Sequence, residues 1–391
     1  MLYIGIDAAK DKHDCCIVDS DGEFKCDGFT FANSKEGFEK FLEIVKQSLS
    51  SKNEIIKVGL ESTGHYSTNL LSFLNSQGFE VVVFNPLSVS RSRTANSLRR
   101  TKTDKNDSRY IVQLLMSGNF KPYHKQSYHI LRLKSLSRAR FRLVKEIQPL
   151  KNRYRRLIHL LFPELQGFFC KLDIPAVITL LTALPGAKDI AACNITKLSN
   201  ILSTASRGRF KRAKAEALKR LAKNSIAEYN QGDAFELKLT LQRIQFLENQ
   251  KAEIEAEIRN VMSEIKSPVT SINGVGDVLG AAILAEIGDI NTFSSSAKLL
   301  AFAGCEPSTY QSGKFTATNT PMVKHGSRYL RNALYLAVKS AYLHSPSFRA
   351  YIDRKRAQGK HFYTAMSHGI KKMVRVLFAV LKRNITFKEP I

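Results

Sequence analysis

The sequence lacks the features that mark several large classes of protein. Its six cysteines form no CxxC pair and show no Cys/His spacing suited to zinc, so we interpret them as reduced thiols. No apolar run is long enough to span a bilayer, and the opening MLYIGID leads directly into a strand pattern rather than a signal segment. Tandem repeats and low-complexity tails are also absent. These absences predict a soluble cytoplasmic protein with no membrane partner.

Acidic residues are few relative to basic ones. The 391 residues include 34 Asp plus Glu against 60 Lys plus Arg, which gives a formal net charge of +26. The excess is concentrated in blocks, whereas a basic surface kept only for solubility would be spread more evenly. Each phosphate that Lys or Arg neutralises releases condensed counterions, so a surplus of this size favours a polyanionic partner. We therefore expect the chain to bind nucleic acid.

Residues 1–120 predict an α/β domain. Strand patterns begin at LYIGID and continue through CCIVDSDGEFKCDGFTF, which gives three antiparallel strands. A helix, a strand that ends near Glu61, a helix over roughly 65–77 and the strand FEVVVFNP follow. NDSRYIVQLLMSG then predicts a helix that starts in the region from Asp104 to Asp107. The predicted order is three strands, then helix, strand, helix, strand and helix.

Residues 121–267 predict a helical region built on a coiled coil. Apolar residues recur at alternating steps of three and four along its first helix, with Arg140 in the one polar position of the series. The outer faces of this helix are basic and are opposed within it only by Glu146, while a second helix, about 234–266, repeats the apolar pattern more weakly. The intervening residues 168–233 are helical and basic but predict no specific function. The predicted seam consists of Leu136, Leu143, Ile147, Leu150, Tyr154, Leu157 and Leu161.

Residues 268–391 predict a mainly helical domain. Pro268 is expected to stop the second long helix, because a proline inside a helix clashes with the preceding turn. Two apolar helical segments flank Gly274 and Gly276 and resemble a helix-hairpin-helix, in which backbone N–H groups at a helix start meet a phosphate. Both glycines are therefore candidate nucleic-acid-binding residues. A plain glycine turn between packed helices is the alternative.

Four acids take positions in the predicted element order that suit a metal site. Asp7 ends the first strand and Glu61 the fourth, while Asp104 and Asp107, at i and i+3, share one face of a helix. Four carboxylates that converge in a basic protein repel one another unless divalent cations lie between them, and paired Mg²⁺ ions can polarise a phosphodiester. This is the carboxylate placement of an RNase H-like fold. Taken singly, each acid has an ordinary alternative as a strand-end or helix N-cap residue.

Basic residues accompany these acids and also surround a serine in the last domain. Arg99, Arg100 and Lys102 directly precede the two aspartates and are predicted to hold nucleic acid beside them. Ser312, in the loop YQSGK, is a candidate nucleophile, since its attack on a phosphate could be aided by cationic groups. An ordinary Ser-Gly turn is the alternative. The cations that could surround a phosphate there are Lys314, Lys324, His325, Arg328 and Arg331.

These residues lie in sequence blocks that resemble a known family, the DEDD transposases of bacterial insertion sequences of the "IS one-ten" type. The blocks are YIGIDAAKDKHD, GLESTGHY, KTDKNDSRYIVQLL, SINGVGDVLGAAILAEIGDINTF, AFAGCEPSTYQSGK and VKHGSRYLRNALY. They cover the two ends of the chain and leave 168–233 unmatched. Two positions depart from the family pattern: Cys305 stands where an apolar residue is usual, and Ser327 where Asn is common.

The resemblance implies a RuvC-like N-terminal domain that gives Asp7, Glu61, Asp104 and Asp107 to two Mg²⁺ ions. It implies a C-terminal transposase domain whose Ser312 forms a 5′-phosphoserine link during DNA strand exchange, in a composite site completed across subunits. The partners it implies are target and donor DNA, a noncoding bridge RNA that pairs with both, and further copies of the chain as a dimer of dimers in the bacterial cytoplasm. Two alternatives stay open: a metal-only nuclease of the junction-resolving kind, and an inactive nucleic-acid-binding scaffold.

Overall fold

The computed structural model describes most of the chain. The residues outside the description are 52–53, 63–65, 87–88, 91–93, 95–103, 119, 121–126, 309–310, 313–314, 317–319 and 390–391, and for 104–105, 311–312 and 315–316 the backbone alone is described. The chain divides into two units, Met1–Lys125 and Gln126–Ile391. The finer division of the second unit at residue 267 stays a prediction.

The first unit is built on a mixed five-stranded sheet. Its strands lie in the order β3-β2-β1-β4-β5, with β2 antiparallel to β1 and β3, and β4 parallel to β1 and β5. The predicted order of strands and helices is confirmed. The elements are β1 (Leu2–Ala8), β2 (Lys12–Asp19), β3 (Phe24–Ala32), α1 (Lys35–Gln47), β4 (Ile56–Glu61), α2 (Ser67–Ser76), β5 (Glu80–Phe84) and α3 (Asp104–Met116).

Helices cover both faces of this sheet. On one face, Ile4 and Ile6 of β1 share a core with Phe41 of α1 and Leu70 of α2, all fully buried. On the other face, glycine lets α3 approach the sheet backbone: a Cβ added at Gly5 would lie 2.2 Å from the carbonyl oxygen of Ser108. A Cβ added at Gly59 of β4 would lie 2.9 Å from Ile111 of the same helix. The two glycines therefore fix how closely α3 lies on β1 and β4.

The second unit contains two long antiparallel helices with a group of short helices between them in the sequence. The long helices are α4 (Tyr128–Leu161) and α10 (Gln231–Ile265). The short helices are α5 (Leu165–Phe168), α6 (Pro175–Ala183), α7 (Ala187–Ala192), α8 (Ile195–Ala205) and α9 (Arg212–Lys223). They share one hydrophobic core with the C-terminal half of α4 and the N-terminal half of α10. Residues 168–233 are thus a helical module at one end of the long pair.

The seam predicted on α4 packs within the same chain. Its buried residues, among them Ile147, Tyr154 and Leu157, pack with Leu237 and Leu241 of α10. The basic residues of α4 are also paired more fully than the sequence indicated, because glutamates of α10 lie opposite them. The ion pairs join Arg132 to Glu257, Arg140 to Glu255, Lys151 to Glu248, and both Arg153 and Arg156 to Glu236. The polar position in the predicted seam, Arg140, is therefore explained by its partner on α10.

The remainder of the second unit packs around the other end of the long pair. Helix α10 ends at Ile265, before Pro268, as predicted. The elements that follow are 3-10 turns at Pro268–Ser271 and Ile290–Thr292, α11 (Asp277–Ile287), α12 (Ser296–Phe302), β6 (Gln311–Ser312), β7 (Phe315–Thr316), α13 (Arg328–His344), α14 (Pro346–Ala357) and α15 (Phe362–Arg383). In the parts of the chain that the structure describes, no helix is long and apolar enough to cross a bilayer.

Candidate active site

Two of the predicted acids leave the sheet at the same edge. The parallel register of β1 and β4 pairs Ile6 with Leu60. The next residue on each strand is an acid, Asp7 on β1 and Glu61 on β4, and both are half-buried. Parallel strands present their carboxyl ends at one edge of a sheet, so the two carboxylates belong to neighbouring positions. On the other side of β1, Asp7 lies opposite Asp14 of β2 in the antiparallel register.

Helix α3 carries the other two acids and is held in place at two points. Its carbonyl at Ser108 lies against Gly5, and Arg109 forms a two-pronged ion pair with Asp27 of β3, with Nε–Oδ1 at 2.9 Å and Nη2–Oδ2 at 2.6 Å. The side chain of Asp107, between these anchors, is 6% exposed. Asp104 is the first residue of the helix, one turn earlier. The anchors therefore bring Asp107 onto the face of the sheet that carries Asp7.

The carboxylate oxygens of this region are the donors that hard divalent cations prefer. Among the described side chains, no group of three or more His, Cys, Asp or Glu is gathered closely enough to hold a metal ion. That statement covers Asp7, Glu61 and Asp107; the side chain of Asp104 lies outside the description. The structure thus places three of the four acids on one part of the sheet unit, and the two-ion Mg²⁺ site stays a prediction.

The candidate nucleophile lies on a β-ribbon of the second unit. In the two-stranded sheet, Gln311 pairs with Thr316 and Ser312 with Phe315. The base of the ribbon is formed by a bridge between Pro307 and Met322, with Ser308 N donating to Pro321 O at 2.8 Å. Ser312 and Phe315 form the backbone pair of this sheet farther from the Pro307–Met322 bridge in the sequence. The role of Ser312 as nucleophile stays a prediction.

The predicted phosphate-binding cations differ in their surroundings. Lys324 is exposed and takes a positive φ of 58°, where its N–H donates to Gly304 O. Arg331 is used structurally, since its Nη1 donates to Ala303 O at 3.3 Å and to Gly326 O at 2.9 Å. Arg328 is exposed and donates to the Tyr329 hydroxyl at 3.0 Å. Those outside the described residues are Arg99, Arg100, Lys102 and Lys314.

The two glycines of the predicted helix-hairpin-helix have different surroundings. Gly274 has a φ of 90°, and a Cβ there would lie 2.8 Å from Ala341 N of α13, so close packing explains this glycine without a phosphate. Gly276 precedes the first residue of α11, and a Cβ there would meet nothing within 4 Å. Open space beside a helix start is compatible with the predicted phosphate contact at Gly276.

Sequence reasoning missed a buried charged pair in the second unit. Glu286 of α11 is 5% exposed and accepts from Arg138 of α4 at 2.6 and 3.0 Å and from Ser327 Oγ at 2.7 Å. Burial alone would raise the pKa of Glu286, but the hydrogen bonds from Arg138 and Ser327 hold the pKa below its usual value. A signal was present: an acid inside the apolar run AAILAEI requires a partner. Ser327, a departure from the family pattern, also caps α13 by accepting from Leu330 N.

Comparison with known families relates both units to one class of protein. A family model described as a transposase, of the DEDD type named for IS110, matches residues 4–163. A second, described as the transposase IS116/IS110/IS902 family, matches residues 266–353. Together the two models cover more than half of the chain, and the helical module lies between them.

Individual relatives extend the similarity over the whole chain. The 44.8 kDa protein of insertion element IS116 from Streptomyces clavuligerus is 25% identical over 100% of this chain and 97% of its own. The mini-circle putative transposase for IS117 from Streptomyces coelicolor is 27% identical over 99% of this chain and 95% of its own. The pilin gene-inverting protein of Moraxella bovis is 22% identical over 100% of this chain and 98% of its own. The solved structure of T. thermophilus RuvC with a Holliday junction substrate covers 32% of this chain at 14% identity and a TM-score of 0.24.

These matches define the class: the protein is an enzyme that rearranges DNA, a DNA transposase or recombinase. DNA is accordingly a partner of the chain, as its charge predicted. The chain belongs to the IS116/IS110/IS902 family of transposases.

Proposed function

We propose that this transposase exchanges DNA strands through a covalent link to Ser312, with magnesium held by a RuvC-like first unit. The observation that carries the proposal is the exit of Asp7 and Glu61 from neighbouring parallel strands, beside a helix that carries Asp107 and Asp104. These four carboxylates would hold the ions. When bound, Mg²⁺ supplies positive charge that stabilises the attacked phosphate and the leaving oxygen.

The serine step requires no high-energy cofactor, because one phosphate ester bond replaces another. The Oγ of Ser312 attacks the phosphorus of a phosphodiester and loses its proton to solvent or a nearby base. The new Oγ–P bond retains the 5′ phosphate, the P–O3′ bond breaks, and the 3′ oxygen leaves as a protonated hydroxyl. A 3′ hydroxyl from the other DNA then attacks the phosphoserine and releases the serine. The β-ribbon supports this role, since Ser312 lies on its two-stranded part, beyond the β-bridge between Pro307 and Met322.

Choice of DNA sequence is assigned to a noncoding bridge RNA that pairs with target and donor. The net charge of +26 supports a protein that binds backbone phosphates of both DNA and RNA. Such an exchange requires strand ends of both the target and the donor DNA to be held at once. We therefore propose a dimer of dimers joined through the region of α4 and α10. Exposed apolar side chains on α10, Phe235 at 64% and Phe246 at 60%, support an intermolecular contact there.

The test is a denaturing gel of purified protein, its copurified RNA, Mg²⁺ and labelled DNA that contains the element's junction. We expect a labelled protein–DNA adduct with the unchanged chain and none with Ser312→Ala. The matched control is Ser308→Ala, a serine at the base of the same ribbon, which should retain the adduct. Cleavage without an adduct, equal in Ser312→Ala, would replace this proposal with a metal-only nuclease. Binding without cleavage in all three proteins would leave a scaffold.

The metal assignment has its own measurement. Calorimetric titration of Mn²⁺ into the DNA-free protein should show binding that Asp7→Asn and Glu61→Gln each weaken by at least tenfold. Asp14→Asn is the matched control, since Asp14 lies beside Asp7 but is engaged by Thr30 Oγ1 at 2.6 Å. Equal Mn²⁺ binding by all four proteins would remove the metal from Asp7 and Glu61, whatever the adduct experiment shows.

A further inference from the structure

A cavity in the second unit has no part in the chemistry proposed above. It has a volume of about 310 Å³ and lies between α4, α11 and α13. Its walls are largely apolar, with Val278 and Leu279 of α11 and Leu336 of α13 among them. The volume is at the lower end of the roughly 300–1,000 Å³ typical of small-molecule pockets.

One wall of the cavity is aromatic and is held rigidly. Phe141 of α4 and Tyr329 of α13 meet edge to face, with ring centroids 5.0 Å apart. The guanidinium of Arg138 lies 4.6 Å from the centroid of the Tyr329 ring, and Arg138 is itself fixed by the buried Glu286. Tyr and Phe faces stack on any nucleobase, and this stacking requires no particular sequence. The two perpendicular rings thus form an aromatic corner, in which a base can stack on one ring and meet the edge of the other.

Polar side chains also line the cavity. Ser137 lines it, and its buried Oγ has no hydrogen-bond partner among the described residues. Asn332 is a second polar lining residue. A buried hydroxyl without a partner costs free energy, which a ligand with hydrogen-bonding edges would recover. A nucleobase has such edges, whereas a purely apolar side chain does not.

Further cations lie beside the two aromatic rings of the cavity wall. Arg328 lies 4.9 Å from the Tyr329 ring and hydrogen-bonds its hydroxyl, and Lys145 lies 5.8 Å from the Phe141 ring. The pKa of Tyr329 is lowered by the hydrogen bond from Arg328, and the charges of Arg138 and Arg142 add to this effect. A largely apolar cavity beside several cations suits a nucleotide, whose base would enter while its phosphates remain near the cations.

We propose that this cavity binds a single unstacked nucleobase of the DNA or RNA on which the enzyme acts. The base packs into the corner between Tyr329 and Phe141, stacking on one ring and meeting the other at its edge. Ser137 and Asn332 meet its polar edge, and the neighbouring cations hold the adjoining phosphates. A base inside a duplex cannot reach such a slot unless it leaves the stack, so the site takes single strands or extruded bases. The proposal rests on the chain's action on DNA and does not depend on the serine or the metal.

The first experiment is photocrosslinking of the full-length protein to an oligothymidine that carries one 5-iododeoxyuridine. Mass spectrometry of the digested product should place the crosslink on the peptide that contains Tyr329 or Phe141. An RNA with one 5-iodouridine and a fully paired DNA duplex form the other two arms. A stronger crosslink to DNA or to RNA identifies the strand that supplies the base, and the duplex should give little product. Crosslinks confined to other peptides would overturn the proposal.

A cavity-filling variant distinguishes the slot from the charge around it. Ala282 lines the cavity and is half-buried, so Ala282→Phe should fill the slot and reduce affinity for the single strand by roughly tenfold while leaving its salt dependence unchanged. Arg142→Ala should instead lower the salt dependence by about one phosphate contact. Ala350→Phe, at an exposed alanine of α14, is the matched control and should change neither quantity.

A second variant protects the test against a folding defect. Asn332→Leu keeps the side-chain size while removing the polar edge, and thermal unfolding of both variants would show whether the chain remains folded. If Ala282→Phe and Asn332→Leu fold and crosslink as well as the unchanged protein, the cavity does not bind a base.

Discussion

Helix α3 in the first unit and helix α10 in the second are positioned by different means. Helix α3 lies directly on the sheet backbone, where Gly5 and Gly59 leave no room for a Cβ. Helix α10 lies along α4 through an apolar seam bordered by ion pairs between partly exposed side chains. Backbone contact has almost no freedom, whereas long charged side chains can adjust. The comparison shows that α3, which carries candidate acids, is positioned by close contact with the sheet backbone. The long helix α10 is positioned by side-chain contacts that can adjust.

The largest expected effect is at the strict contact. Gly5→Ala would place a Cβ 2.2 Å from the Ser108 carbonyl oxygen, so α3 must shift away from β1. We expect a loss of about 3 kcal/mol in the free energy of unfolding and weaker Mn²⁺ binding, because the same shift moves Asp107. Urea unfolding measures the first quantity. Gly167→Ala, where a Cβ meets nothing within 4 Å, is the control and should change stability by less than about 1 kcal/mol.

The next effect concerns the charged contact between Arg138 and the buried Glu286. Glu286 is almost fully buried, whereas the Arg138 side chain is 36% exposed. Arg138→Met should lower the free energy of unfolding by about 2 kcal/mol, because the buried Glu286 carboxylate then keeps only Ser327 and the more distant Lys134. Glu286→Gln should lower it by less, since the partly exposed Arg138 can be hydrated. Chemical denaturation of both variants measures the difference. Equal costs would show that the ion pair is as tolerant as those of α10.

The pKa of Glu286 also gives this pair a pH dependence. Because its folded pKa lies below its usual value of 4.5, the pair contributes stability above that pH and loses it as the pH falls through the folded pKa. The acid limb of the stability curve should therefore flatten in Arg138→Met.

A smaller effect is expected in the first unit at His13. The ring is 0% exposed between Phe31 and Phe38, and burial lowers its pKa from 6.5. As the pH falls below 6.5, His13 binds a proton in the unfolded chain before it does so in the folded chain. The contribution of His13 to stability is therefore fully present above pH 6.5 and is lost as the pH is lowered from that value toward the folded pKa. The slope is at most about 1.4 kcal/mol per pH unit. His13→Phe should remove it, and an unchanged slope in that variant would assign it elsewhere.

The smallest effect is expected along α4 and α10. Arg140 and Glu255 are 31% and 21% exposed, and the pair should contribute only about 0.5 kcal/mol, less at high salt. A double-mutant cycle of Arg140→Ala and Glu255→Ala measures it. A coupling above about 2 kcal/mol would show that the helix pair is held as strictly as α3.

The sequence predicted those parts of the fold that depend on local pattern. The strands and helices of the first unit follow from alternation and helical spacing, and the shared edge of Asp7 and Glu61 follows from strand order. Parts that depend on distant contacts were not predictable. The partner of Arg138 lies 148 residues away, and Gly274 is explained only by α13.

The surroundings of individual side chains were also not predictable from residue type. Arg331, predicted to contact a phosphate, also has a structural role, since Ala303 O and Gly326 O accept hydrogen bonds from its Nη1; its phosphate contact stays a prediction. His13 is fully buried and lies within an aromatic core. In both cases the residue type suggests solvent or substrate, and only the tertiary structure shows the contacts that the side chain makes.

The antiparallel pair also has a mechanical consequence. A helix of 34 residues is about 50 Å long at 1.5 Å per residue, so α4 carries the chain that distance before the helical module begins, and α10 carries it back. Removing seven residues from each helix at facing positions would shorten this arm by about 10 Å while returning the chain to the same point. The length of the two helices therefore sets the distance between the helical module and the other end of the pair. This distance can change without altering the parts of the chain that precede α4 and follow α10.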